Sequence, residues 1–124
     1  MSPRASSATA HELSRSGLLS SLPGQTLAQL ARRMTREEVP AGAAVVREGE
    51  GGDRFYVVLS GVLATSQASL GPRGLLRPGD TFGEVALAMD VPRTASVRAL
   101  TPAVVASCDR ATFDEYVRPL FADE

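Results

Sequence analysis

Apolar positions change their rhythm twice along the chain. Near the start, Leu27, Leu30, Ala31 and Met34 stand at i, i+3, i+4 and i+7. That spacing predicts one buried face of a helix. Pro23 fits its first turn, where a missing N–H costs nothing. Arg32, Arg33 and Arg36 fall on or beside the opposite face and read as solvated surface. From Glu38 to about Ser107 the pattern becomes short β-branched runs cut by turn residues. Val39 precedes Pro40-Ala41-Gly42, then come Val45 and Val46. Phe55 to Leu59 reads as a buried strand. Gly61 permits a bulge or sharp bend before Val62 to Thr65. Arg77-Pro78-Gly79-Asp80 puts Pro and Gly where a type II turn needs them. Ser96 to Leu100 and Val104 to Ala106 are two further strands around Thr101-Pro102. After Asp109, a good N-cap, Phe113, Tyr116, Val117 and Leu120 share a helical face, and Pro119 bends or ends it. The predicted fold class is therefore mainly β with flanking helices: a β-roll or jelly-roll barrel with an N-terminal helix and a C-terminal helix.

Composition narrows the function classes. At 124 residues one domain is expected, with residues 1–12 as a disordered leader and 13–124 as the domain. A net charge of −1 and a pI near 5.8 give no basic surface for nucleic acid. All thirteen basic residues are Arg, which points to a GC-rich coding genome; a bacterial source is expected. No apolar run approaches the ~20 residues of a membrane span, and the start lacks the apolar stretch of a signal peptide. A cytoplasmic location is expected. Cys108, the single cysteine, reads as a small buried hydrophobe. The single His, His11, lies in the leader and carries no role. No clustered metal ligands, nucleophile–base–acid set or Walker-type loop is present, so neither catalysis nor a metal or cofactor is expected. The Gly-rich acidic stretch from Glu48 to Asp53 lacks calcium-loop spacing and reads as a turn.

One segment departs from the strand texture. Phe82-Gly83-Glu84-Val85-Ala86-Leu87-Ala88-Met89-Asp90-Val91-Pro92-Arg93-Thr94-Ala95-Ser96-Val97 opens with Gly and is helix-friendly through Met89, and Pro92 stops any helix. A short helix inside a β-roll presents free N–H groups to an anion at its start. Gly83 lets a ligand approach the backbone. Arg93 offers two parallel donors to phosphate oxygens, with the Thr94 hydroxyl and the Ala95 N–H beside it. Glu84 suits a ligand that also donates a hydroxyl, since a carboxylate repels a bare phosphate. Together these groups describe a sugar phosphate. An internal Glu84–Arg93 ion pair is the alternative.

These sixteen positions resemble the phosphate-binding cassette of cyclic nucleotide-binding domains. The likeness extends over about residues 18 to 118. It takes in Pro40-Ala41-Gly42, Arg47-Glu48-Gly49, the Tyr56-to-Gly61 strand and Pro78-Gly79-Asp80. The resemblance implies a β-roll with flanking helices and a non-enzymatic sensor that binds cyclic AMP or cyclic GMP. It implies that Glu84 accepts the ribose 2′-OH and Arg93 holds the cyclic phosphate. Gly83, Val85, Ala86 and Ala95 lie along the ligand, and the Thr94 hydroxyl assists. Thr94 is compatible with either base, and cyclic AMP is favoured only as the commoner bacterial ligand. Family members usually close the site with a longer C-terminal helix, so the lid is either short or beyond Glu124. An effector domain or a homodimer partner is expected to read a movement of the terminal helix. The alternatives are a degenerate member acting as an interaction module, and the sensor half of a transcription regulator whose DNA reader lies outside this chain.

Overall fold

The structure is a computed structural model and describes residues 8–121. Eight strands form two antiparallel four-stranded sheets. One has the order β1 (Thr35–Val39), β8 (Ala103–Asp109), β3 (Arg54–Ser60), β6 (Thr81–Phe82). The other has the order β2 (Ala44–Val46), β7 (Ser96–Ala99), β4 (Leu63–Gln67), β5 (Gly71–Leu76). Helices α1 (Ala10–Leu13) and α2 (Gly24–Arg32) precede the sheets, α3 (Glu84–Met89) interrupts them, and α4 (Arg110–Thr112) follows.

Strand β3 explains the architecture. Its run Phe55-Tyr56-Val57-Val58-Leu59 is buried at every position. Side chains alternate across a strand, so β3 feeds two cores. Phe55, Val57 and Leu59 pack with Leu13, Leu27, Leu30 and Phe113 on the helical side. Tyr56 and Val58 pack with Val97, Leu63 and Val105 between the sheets. A strand covered on both faces reads as a continuous apolar run rather than an alternating one.

The helical face predicted from Leu27, Leu30, Ala31 and Met34 is buried. Pro23 stands one residue before that helix, in extended backbone, and Gly24 begins it. Arg33 and Arg36 are not simply solvated: they pair with Glu115 and Glu12 respectively.

The leader expected over residues 1–12 is corrected at its end. Thr9 and Glu12 make a capping box around α1, Thr9 Oγ1 accepting from the Glu12 N–H and Glu12 Oε1 from the Thr9 N–H. Reciprocal capping satisfies two otherwise orphaned donors, and Ala8 and Leu13 enter the core. Residues 1–7 lie outside the described residues, as do residues 122–124 of the expected domain.

Strand β5 was not announced by the apolar pattern. It contains Gly71, Pro72 and Gly74, residues that count against a strand, yet it pairs with β4 from Leu63↔Leu76 to Gln67↔Gly71. It lies at the sheet edge, where a proline's missing donor faces outward. The turn at Arg77–Asp80 forms as read: Gly79 has φ +96°, and the Asp80 N–H donates to the Arg77 carbonyl. The terminal segment first widens and then tightens as it runs. After α4, capped by the Asp109 carboxylate on the Thr112 N–H, it becomes a π-helical turn over Phe113–Val117 and a 3-10 turn over Arg118–Leu120. Pro119 has no N–H to continue the wider ladder.

Candidate functional site

The cassette forms where β6 hands over to α3. Gly83 turns the chain at φ +92°, and Glu84 begins the helix. A side chain at Gly83 would also collide, since a Cβ there would lie 2.9 Å from both the Arg54 carbonyl oxygen and the Arg93 guanidinium. Asp90, at φ +54°, ends the helix. The chain then returns through Pro92 to Arg93, held by the Arg93 N–H on the Glu50 carbonyl and the Gly49 N–H on the Arg93 carbonyl, both at 2.9 Å.

A cleft of about 220 Å³ opens between this cassette and the second sheet. All seven residues singled out in the sequence line it: Gly83, Glu84, Val85, Ala86, Arg93, Thr94 and Ala95. Val46, Thr65, Leu76, Thr81, Phe82 and Val97 complete the wall. Phe82 and Val97 bound the sixteen-residue segment singled out in the sequence, and Thr81 precedes it. Val46, Thr65 and Leu76 escaped sequence reasoning because strands far apart in the chain deliver them.

Two features fix the chemistry of the cleft. The Arg93 side chain is only 7% exposed. It donates to the Gly83 carbonyl at 3.2 Å and the Arg54 carbonyl at 2.9 Å, and it lies 5.8 Å from the centre of the Tyr56 ring. The Tyr56 ring is itself stacked on Phe82 at 4.7 Å. Burial draws the guanidinium's pKa below its ordinary value, and nearby Tyr56, Asp53 and Glu84 oppose that shift. A guanidinium titrates so far above neutrality that it keeps its charge. Among the described residues Arg93 belongs to none of the ion pairs, so the internal Glu84–Arg93 pair weighed above does not form. The second feature is Glu84, whose Oε1 is buried and has no hydrogen-bond partner among the described residues. A buried acceptor without a donor costs free energy. The cleft thus offers a charged donor paired with no carboxylate and, beside it, an acceptor without a hydrogen-bond donor.

The far end of the cassette is tied to the terminal segment. The Arg118 guanidinium donates to the Leu87 carbonyl at 2.9 Å and the Ala88 carbonyl at 3.2 Å. Arg110 donates to the Leu87 carbonyl at 3.2 Å. These are the carbonyls a helix leaves unsatisfied at its C-terminus. Neither arginine drew notice in the sequence, because nothing in a linear pattern tells a surface arginine from one that caps a distant helix.

Among the described residues, no helix is long and apolar enough to cross a membrane. Residues 36–119 match the family profile described as "Cyclic nucleotide-binding domain". A cAMP-dependent protein kinase regulatory subunit of Debaryomyces hansenii is 39% identical over 102 residues, covering 82% of this chain and 23% of that protein. Further regulatory subunits matched in sequence also come from fungi, and they lend no support to the expected bacterial origin. The chain spans about a quarter of the length of these relatives. The cAMP-bound regulatory domain of the Toxoplasma gondii kinase superposes with a TM-score of 0.82 at 30% identity, over 90% of this chain and 44% of that one. The regulatory subunit of a cAMP-independent kinase from Trypanosoma brucei superposes with a TM-score of 0.84 at 26% identity, over 89% and 40%. Fold, cassette and profile agree, and the chain belongs to the cyclic nucleotide-binding domain family, as a non-catalytic domain close to those of protein kinase regulatory subunits.

Proposed function

We propose that the cleft binds a cyclic nucleotide, with cyclic AMP favoured over cyclic GMP, and that the chain is a sensor for it. The observation that carries this reading is the juxtaposition in one cleft of buried, unpaired Arg93 with the partnerless Oε1 of Glu84. A ribose 2′-OH supplies the donor that Glu84 lacks. A cyclic phosphate supplies the negative charge that Arg93 lacks, and the N–H groups opening α3 together with the Ala95 N–H line its other side. The Thr94 side chain is exposed at the mouth of the cleft, placed to bond the phosphate or the base edge. The lean to cyclic AMP rests on the fungal and apicomplexan relatives described as cAMP-dependent or cAMP-bound. A working place in the cytoplasm goes with that lean.

Relay to an effector or to a second copy runs through the terminal segment. Arg110 and Arg118 grip the last carbonyls of α3, so a ligand that draws in the start of α3 pulls on Arg110–Leu120. A two-state shift of that segment is what a following domain would read. The likeness to the cAMP-independent kinase subunit keeps a second reading in play: the same fold serving as an interaction module or answering to a different nucleoside ligand.

The ribose contact is the sharpest test. The wild-type chain should bind cyclic AMP at least about tenfold more tightly than 2′-deoxy cyclic AMP, because a hydrogen bond to a charged group contributes about 1.5–3 kcal/mol. Glu84→Gln should shrink that ratio toward one, with most of the loss on the ribose ligand. Equal losses for both ligands would remove Glu84 from the 2′-OH role.

A further inference from the structure

Gly52, near the cleft, is a glycine its own backbone does not explain. Gly42, Gly49, Gly61, Gly71, Gly79 and Gly83 have φ between +75° and +96°, where side chains are strained. Gly52 is not among them. What a side chain at Gly52 would meet is Arg93: a Cβ built there falls 2.5 Å from Arg93 Nε, 2.6 Å from its Cζ and 3.0 Å from the Ala86 Cβ. Its neighbour Gly51 has open space on the same test, with nothing within 4 Å.

We infer that Gly52 is a positioning residue of the ligand site: its bare Cα is the floor on which the Arg93 guanidinium rests. This rests on the cyclic-nucleotide reading above. The guanidinium is boxed on its remaining sides by the Gly83 and Arg54 carbonyls and the Tyr56 ring, so the cleft is the open direction. The main chain on both sides of the contact cannot easily yield. Gly49 and Glu50 are hydrogen-bonded to the Arg93 backbone, and the Gly52 carbonyl accepts from Arg110 at 3.5 Å. A methyl group at position 52 is therefore absorbed by the Arg93 side chain, the flexible partner. The fold survives, and the charged fork leaves its place. A guanidinium moved out of reach of the ligand loses a charge-assisted hydrogen bond, which costs roughly ten- to a hundredfold in affinity. Gly52, in a stretch read from the sequence as a mere turn, thereby becomes the back wall of the phosphate subsite.

The test compares wild type, Gly52→Ala and Gly51→Ala. Each is titrated calorimetrically with cyclic AMP and cyclic GMP. Each also gives a ligand-free NMR spectrum of the arginine Nε–Hε groups, in which the Arg93 signal is assigned by its loss in Arg93→Lys. Gly52→Ala should keep the native fold by circular dichroism, shift or broaden the Arg93 signal, and bind about tenfold or more weakly. Gly51→Ala should match wild type in both measurements. Wild-type affinity in Gly52→Ala overturns the inference, as does weakened binding with an unmoved Arg93 signal. A wild-type chain that binds neither nucleotide overturns the function reading and takes this inference with it. The two failures are told apart by the wild-type titration alone.

Discussion

Arg93 and Cys108 show how the same burial serves two ends at the residue scale. Arg93 keeps its charge inside the protein because carbonyl dipoles and an aromatic face replace water. Cys108, fully buried in the core against the helices, has nothing comparable. Burial is the main cause that pushes its thiol up to about 12, from an ordinary 9.0. The thiolate is the reactive form, so Cys108 should resist alkylation by iodoacetamide in the folded chain at pH 8 and react promptly in denaturant. A raised folded-state pKa contributes stability that is present below pH 9.0 and lost as pH climbs toward 12. Thermal unfolding scanned across that window should show the midpoint falling, and a Cys108→Ala chain should fall less steeply. Prompt native-state alkylation at pH 8 would contradict the burial. At this scale the cassette was legible in the sequence because its chemistry is local: Gly83 to Ala95 sit within one short stretch. Gly52, Thr65 and Leu76 were not, since a contact across 41 residues, as from Gly52 to Arg93, leaves no periodic trace.

Element by element, the strands with β-branched or aromatic runs were readable and the others were not. β3 is buried on both faces and could hardly be mistaken. β5 is an edge ladder made of Gly and Pro, whose existence depends on β4 offering a free side. The tie between α3 and the terminal segment belongs to the unreadable class as well. It consists of two arginines capping carbonyls 23 to 31 residues away. Removing one should loosen the helix it caps without unfolding the sheets. In Arg118→Gln, hydrogen exchange at the amides of α3 should quicken while β3 and β8 remain protected. In the wild-type chain, added cyclic AMP should slow exchange both in α3 and across Arg110–Leu120. Protection confined to the cassette would contradict the relay.

Taken whole, the described residues form a two-sheet roll with an α-helical layer on one sheet and, against the other, a cleft that holds Arg93 and Glu84. The fold class and the flanking helices followed from the rhythm of apolar residues, because the first sheet has both faces in a core and the second has one. The fate of the leader did not follow, because its small polar residues conceal a capping box that only a docked Leu13 makes worthwhile. What the whole is for comes down to whether the cleft takes a cyclic nucleotide through Arg93. The most direct measurement is calorimetric titration of the chain with cyclic AMP and cyclic GMP, beside Arg93→Ala. The expected result is saturable one-to-one binding of cyclic AMP, weakened in the folded variant by about 2–4 kcal/mol, or roughly thirty- to a thousandfold, since a charged bidentate contact is lost. Equal affinity in wild type and Arg93→Ala, or no binding of either nucleotide by the wild-type chain, would contradict it.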